Sequence, residues 1–162
     1  VMAFSVPALG WAEGKIAVFD LQSAILQTDA AQARLEELRN EDEYKKNKAE
    51  FDRIKSEGET LVKSYQKDSA IMSEEQRATA QQQINSRQED LEHVAGKLQQ
   101  SEQVAAQAMV QEMGPKVQEV LREIIEKEGV GLLLQRQAVI HAEPSYSITA
   151  KVTDKLNELN TK

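Results

Sequence analysis

Apolar and polar positions alternate along this chain in three different rhythms. Residues 15–22, "KIAVFDLQ", set Ile16 and Val18 against Ala17 and Phe19 with β-branched residues at the centre, which predicts a short strand. From residue 29 to residue 128 the rhythm becomes helical. That stretch holds one proline, Pro115, and three glycines, Gly58, Gly96 and Gly114, among residues that otherwise favour helix. Residues 131–135 and 138–142 then form the densest apolar run and predict two strands turning near Arg136 and Gln137. The consecutive Leu132, Leu133 and Leu134 suggest a strand covered on both faces. Beyond Pro144, the residues Ile148, Val152, Leu156 and Leu159 fall at helical spacing and predict a terminal helix.

The long helical region divides near its middle. Ser73-Glu74-Glu75-Gln76 has the spacing of a capping box, with acids in the first turn that suit the helix dipole. A turn near residues 70–73 makes two arms of about 40 residues, each roughly 60 Å long at 1.5 Å per residue. In the first arm Tyr44, Phe51, Ile54, Gly58, Leu61 and Tyr65 recur at steps of three, four or seven; in the second Ile84, Leu91, Leu98 and Ala105 recur every seven. This is the pattern of a two-stranded coiled coil, but a thin one, with Gln88 and Glu102 in or beside the stripe. Pro115 is expected either to kink the second arm or to open a new helix capped by Gly114. Val117, Val120, Leu121, Ile124 and Ile125 then restore a full apolar face. Gly129 supplies the helix stop.

Composition narrows the function. Aromatic residues are 4% of the chain and cysteine is absent, so disulfides, thiolate metal sites and cysteine nucleophiles are excluded together. The net charge of −7 is concentrated in residues 29–112, which hold 18 acidic and 12 basic side chains, and this argues against a nucleic-acid partner. The histidines, His93 and His141, stand in no triad, metal or phosphate-loop motif, so neither an enzyme nor a cofactor-binding protein is expected. Glu36-Glu37 and Glu41-Asp42-Glu43 are read as solvated faces. Residues 1–12, "VMAFSVPALGWA", are apolar, uncharged and end on small residues, as does the end of a secretory signal peptide whose basic start is missing. Cleavage there would leave Glu13 first and the protein exported, soluble outside the cytoplasm.

The two ends of the chain must meet to build one small sheet. About 65 residues of strand and helix are a small core to carry so large a hairpin, and association is the natural remedy, closing sheet edges between subunits. The expected fold class is α+β, mainly α: a small β-rich body of residues 13–28 and 114–162, and a long antiparallel helical hairpin of residues 29–113.

With "KIAVFDLQSAI", "GLLLQRQAVIHA" and "ITAKVTDKLNEL" in this order around a helical hairpin, the chain resembles the periplasmic chaperone family called Skp or OmpH over essentially its whole mature length. The resemblance implies a homotrimer whose β-rich body roots three helical arms, and whose cavity holds unfolded outer-membrane proteins without ATP. It implies that Ile16, Val18, Leu132, Leu134, Val139 and Ile140 belong to the trimer body. Candidate client contacts are Tyr44, Phe51, Tyr65, Ile71, Met72 and Met109, with Ile71 and Met72 at the hairpin tip serving either to seal the turn or to meet a client. The best-known members have basic arms, whereas these are acidic, so lipopolysaccharide or acidic-lipid binding is not carried over and membrane-surface contact stays open. A cell-envelope adaptor that docks a folded partner through the hairpin is the alternative reading.

Overall fold

The computed structural model describes residues 14–160 of the 162-residue chain; residues 1–12, expected to be the end of a signal peptide, lie outside the described residues. In chain order the elements are strand β1 (Lys15–Phe19) and helices α1 (Leu21–Leu26), α2 (Asp29–Asn40), α3 (Asp42–Asp68) and α4 (Glu74–Glu128). Strand β2 (Val130–Gln135), short 3₁₀ turns at Arg136–Ala138 and Pro144–Tyr146, and helix α5 (Thr149–Asn160) follow. The fold is mainly α with a small β part. The described residues separate into one compact unit formed by residues up to 30 together with those from 110 on, and a second formed by residues 31–109.

The first unit is organised around a parallel pair of strands. β1 and β2 pair with Ile16 opposite Leu132 and Val18 opposite Leu134, so the whole helical stretch between them is the crossover that parallel pairing requires. The register slips by one residue at the start, where Lys15 faces Val130 and Ile16 faces Leu132. Gly131 is the residue left over, and it lies against Gly14: a Cβ on Gly131 would stand 2.7 Å from the Gly14 Cα. Only glycine permits two backbones to approach so closely.

α5 closes this unit with two interleaved rows of side chains. Ile148, Val152 and Leu156 recur every four residues and are buried with Ala17, Val18, Phe19, Ala24, Ile25, Val117, Val120 and Ile124. Beside them, Thr149, Thr153 and Asn157 recur at the same interval and satisfy backbone groups around α1. Thr149 Oγ1 accepts from the Asp20 amide at 3.1 Å, Thr153 Oγ1 donates to the Ala24 carbonyl at 3.0 Å, and Asn157 Oδ1 accepts from the Asp29 amide at 2.9 Å. The Ile148 amide donates to the Val18 carbonyl at 2.9 Å. Buried backbone polar groups must find partners, and one row of α5 supplies them while the other fills the core. Glu128 joins three segments, its carboxylate accepting from Lys15 Nζ at 2.7 Å and Lys151 Nζ at 2.6 Å.

Several expectations are corrected. Residues 138–142 do not form a strand: the chain turns through a 3₁₀ segment at Arg136–Ala138 and continues without strand pairing, so the described sheet is two-stranded. A strand needs a ladder partner for its amides, and none of the described residues offers one there. The first strand stops at Phe19, because Asp20 turns the chain into α1 by accepting the Ser23 amide with its side chain at 3.0 Å. Pro115 neither ends nor restarts a helix; α4 runs through it from Glu74 to Glu128. The first arm, conversely, is broken at Glu41 into α2 and α3.

Candidate functional site

The second unit is the candidate site: α3 and α4 lie antiparallel as a hairpin with very little interior. The turn follows the end of α3 at Asp68, and the reciprocal cap forms at the start of α4. The Gln76 amide donates to Ser73 Oγ at 3.2 Å, and the Ser73 amide donates to Gln76 Oε1 at 2.8 Å. Across the hairpin, Gly58 lies beside Arg87, and Arg87 Nε stands 3.5 Å from Glu57 Oε2. These pairings set the register of one arm on the other.

The half-buried and buried positions include, along α3, residues 44, 47, 51, 54, 58, 61, 65 and 68 and, along α4, 84, 87, 91, 94, 98, 101 and 105, with further half-buried residues such as 50, 57, 90 and 102 beside them. Both series alternate steps of three and four, the seam of a coiled coil. Yet among residues 32–108 only Ile54 and Val94, 3% and 7% exposed, are buried apolar side chains. Val94 was missed in the sequence reading, although it stands three residues after Leu91 and four before Leu98, where the second member of each heptad belongs. The seam is otherwise small or polar. A groove of about 1100 Å³ opens beside it, lined by Lys46, Arg53, Ile54, Asp90, His93 and Val94.

Charged side chains flank the seam. Arg53 pairs with Glu50 and Glu57 at 2.6 Å each, and Arg87 pairs with Asp90 at 2.9 Å. The hydrogen bond from Arg53 holds the Glu50 carboxyl below its ordinary value, and the bonds that Arg53 donates to Glu50 and Glu57 hold its guanidinium above the ordinary value. Such exposed pairs are screened by solvent and contribute little energy, so they set register more than stability. Glu102 makes a different arrangement. Its Oε1 accepts from Tyr44 Oη at 2.8 Å and from Arg39 Nη2 at 3.2 Å. Burial first, then the Glu102 hydrogen bond, pushes the Tyr44 phenol above its ordinary pKa.

The candidate client contacts separate by exposure. Tyr44, Phe51, Tyr65 and Met72 are half-buried in or near the seam. Ile71 stands out at the turn, 86% exposed, whereas Met109 is 6% exposed and packs inside the chain instead of facing outward. In the first unit Ile16 and Leu132, opposite one another on β1 and β2, are 45% and 48% exposed. Leu134 and Val139 are half-buried, Val18 is buried, and Ile140 is fully exposed. Among the described residues no group of three or more His, Cys, Asp or Glu side chains could hold a metal ion, and no helix is long and apolar enough to cross a membrane.

The hairpin has almost no core of its own, and the small unit is built on a parallel strand pair. Comparison with known proteins gives the family. The chain belongs to the family described as outer membrane protein (OmpH-like), whose model matches residues 15–156. A curated Skp-like protein of Pseudomonas aeruginosa is 28% identical over 152 residues, covering 92% of this chain and 88% of the relative. The chaperone protein Skp of Photorhabdus laumondii is 23% identical over 151 residues, covering 93% and 89%. A solved OmpH-like outer membrane chaperone structure from Caulobacter crescentus aligns over 98% of this chain and 90% of its own, with 17% identity and a TM-score of 0.49.

Proposed function

We propose that the chain is an ATP-independent holdase chaperone of the periplasm. It works as a homotrimer that keeps unfolded outer-membrane proteins soluble in a cavity between its helical arms. Residues 13–28 and 114–162 form the trimer body, and residues 29–113 the arm. The carrying observation is the near absence of a closed interior in the hairpin. Residues 32–108 bury only Ile54 and Val94 among their apolar side chains, while Tyr44, Phe51, Leu61 and Tyr65 stay partly accessible. An arm built this way bends at low cost and offers many weak apolar contacts, which suits a client without a fixed shape. Membership of the OmpH-like family and the Skp relatives support the same reading.

The trimer draws support from the strand pair. Ile16, Leu132 and Ile140 leave an apolar surface that a lone subunit exposes, and residues 139–142 extend without a strand partner among the described residues. Sister subunits supply both cover and hydrogen bonds. Tyr44, Phe51, Tyr65, Ile71 and Met72 are the proposed client contacts; Met109 is buried and left out of that set. The acidic arms favour clients that are basic or held by apolar contacts, and lipid or lipopolysaccharide binding is not part of this reading.

Two measurements test it. Analytical ultracentrifugation at micromolar concentration is expected to show a trimer, and a stable monomer would sink the proposal. Excess protein without nucleotide is expected to suppress aggregation of a denatured outer-membrane barrel on dilution, and unchanged aggregation would count against it. The exposure of Ile71 favours a second reading, an envelope adaptor that docks a folded partner by its tip. Ile71→Ser with Met72→Ser separates the two: a distributed holdase loses little binding, a tip-docking adaptor loses all of it.

A further inference from the structure

We propose that Glu102 is a positioning residue that latches a flex point in the first arm, holding the two sides of the break at Glu41 against the unbroken α4. At Glu41 the backbone leaves the helix for an extended conformation, φ −64° and ψ 144°, and no side chain caps the start of α3. The break contains neither glycine nor proline: Arg39-Asn40-Glu41-Asp42-Glu43 are residues a helix tolerates. Backbone chemistry therefore does not lock this bend, and tertiary contacts must hold it.

Apolar packing supplies only half-buried contacts there, among them Leu38, Tyr44 and Leu98. Between Ala31 and Ile54 on one arm, and between Val94 and Met109 on the other, no described apolar side chain is fully buried. The nearest buried seam residue above Tyr44 is Ile54, ten positions on and so about 15 Å away along the helix. In the middle of this weak stretch sits the Glu102 carboxylate. The same oxygen, Oε1, accepts Arg39 Nε at 3.3 Å and Nη2 at 3.2 Å from the last turn of α2, and Tyr44 Oη at 2.8 Å from the first turn of α3. One side chain of the continuous helix thus grips both broken ends.

The groups cooperate chemically. The Glu102 hydrogen bond and charge raise the Arg39 pKa, and burial keeps the Tyr44 phenol protonated, so both remain donors. A groove of about 780 Å³, lined by Leu38, Glu41, Lys97, Ser101, Val104 and Ala105, leaves room for the end of α2 to move when the grip is released. Losing the latch frees the hairpin beyond Glu41 to bend without unzipping Ile54 from Val94. The inference deepens the holdase reading, since bending there changes the space offered to a client, but its test uses the free protein and so stands or falls apart from that reading.

The test is amide hydrogen exchange on the full chain without client, comparing wild type with Glu102→Ala, Glu102→Gln and the exposed control Glu89→Gln. Glu102→Ala is expected to speed exchange by about three- to tenfold at the hydrogen-bonded amides within residues 41–46, those of Glu41 and Lys45 first, the size expected for losing one exposed ion pair and one part-buried hydrogen bond. Exchange around Ile54 and Val94 should stay at the wild-type rate. Glu102→Gln keeps an acceptor for Tyr44 and should fall between the two, and Glu89→Gln should change nothing. In the Glu102→Ala background, adding Tyr44→Phe or Arg39→Ala should have no further effect on these amides. Unchanged exchange at residues 41–46, or an increase spread equally to Ile54 and Val94, would overturn the latch.

Discussion

Ile54 and Ile71 belong to the same hairpin and differ almost wholly in what surrounds them, so truncating each to alanine weighs the seam directly. Ile54 is 3% exposed and lies with Val94 at the only buried apolar point of residues 32–108; Ile71 is 86% exposed at the turn. The substitution removes three carbons, which at about 0.8 kcal/mol per methylene is about 2.4 kcal/mol of lost transfer energy at the buried site. The groove beside Ile54 is open, so little sealed cavity is left behind. The expected loss is therefore about 2–3 kcal/mol, at the low end of what Ile→Ala costs in closed cores. Ile71→Ala removes the same atoms from water and should change stability by less than about 0.5 kcal/mol. Urea unfolding followed by circular dichroism measures the stability change. Amide exchange across residues 50–60 and 88–98 shows whether the loss is local to the hairpin. An Ile54→Ala effect below about 0.5 kcal/mol, or an Ile71→Ala effect of equal size, would refute the view that buried Ile54 is an apolar anchor of the arm.

Other expectations follow from single contacts. Hydrogen bonds from Lys15 and then Lys151 push the Glu128 carboxyl down to about 2 from an ordinary 4.5, so its stabilisation is complete above about pH 4.5 and is lost as pH falls towards 2. Glu128→Gln should flatten that part of the Tm against pH curve, and an unaltered acid limb would contradict the clamp. Gly96→Ala places a Cβ with no atom within 4 Å and should stabilise the helix by about 1 kcal/mol, read as a raised urea midpoint; a lowered midpoint would mean that the site needs glycine. Gly131→Ala sets a Cβ against the Gly14 backbone, where no rotamer change can relieve it, and should cost at least about 1–3 kcal/mol. A wild-type Tm for that variant would argue against the β1–β2 register.

Legibility in the sequence followed the range of the interaction. The cap at the start of α4 needs only Ser73 and Gln76, three residues apart, and it forms as spelled. The strand content of Lys15–Phe19 and Val130–Gln135 and the apolar face of α5 rest on side-chain periodicity and were equally readable. Residues 138–142 carry the same β-branched signal as a strand and do not form one, because strand propensity is realised only where a partner completes the ladder. The break at Glu41 left no mark, since its residues are compatible with helix. Glu102 registered only as an impurity in an apolar stripe.

The sequence by itself determined that one long helix starts at the Ser73–Gln76 cap and stops at Gly129, that the middle of the chain has too few large apolar residues for a packed core, and that its two ends share one. Those are properties of local dihedral preference and periodic hydrophobicity, fixed within about a dozen residues. Tertiary structure alone decided that β1 and β2 run parallel with a slipped register at Gly131, and that Thr149, Thr153 and Asn157 serve the backbone around α1. It also decided that Glu128 joins Lys15 to Lys151 and that Glu102 bridges both sides of a broken helix. Each of these depends on atoms far apart along the chain, in two cases 129 residues, brought within about 3 Å by packing that no local pattern encodes.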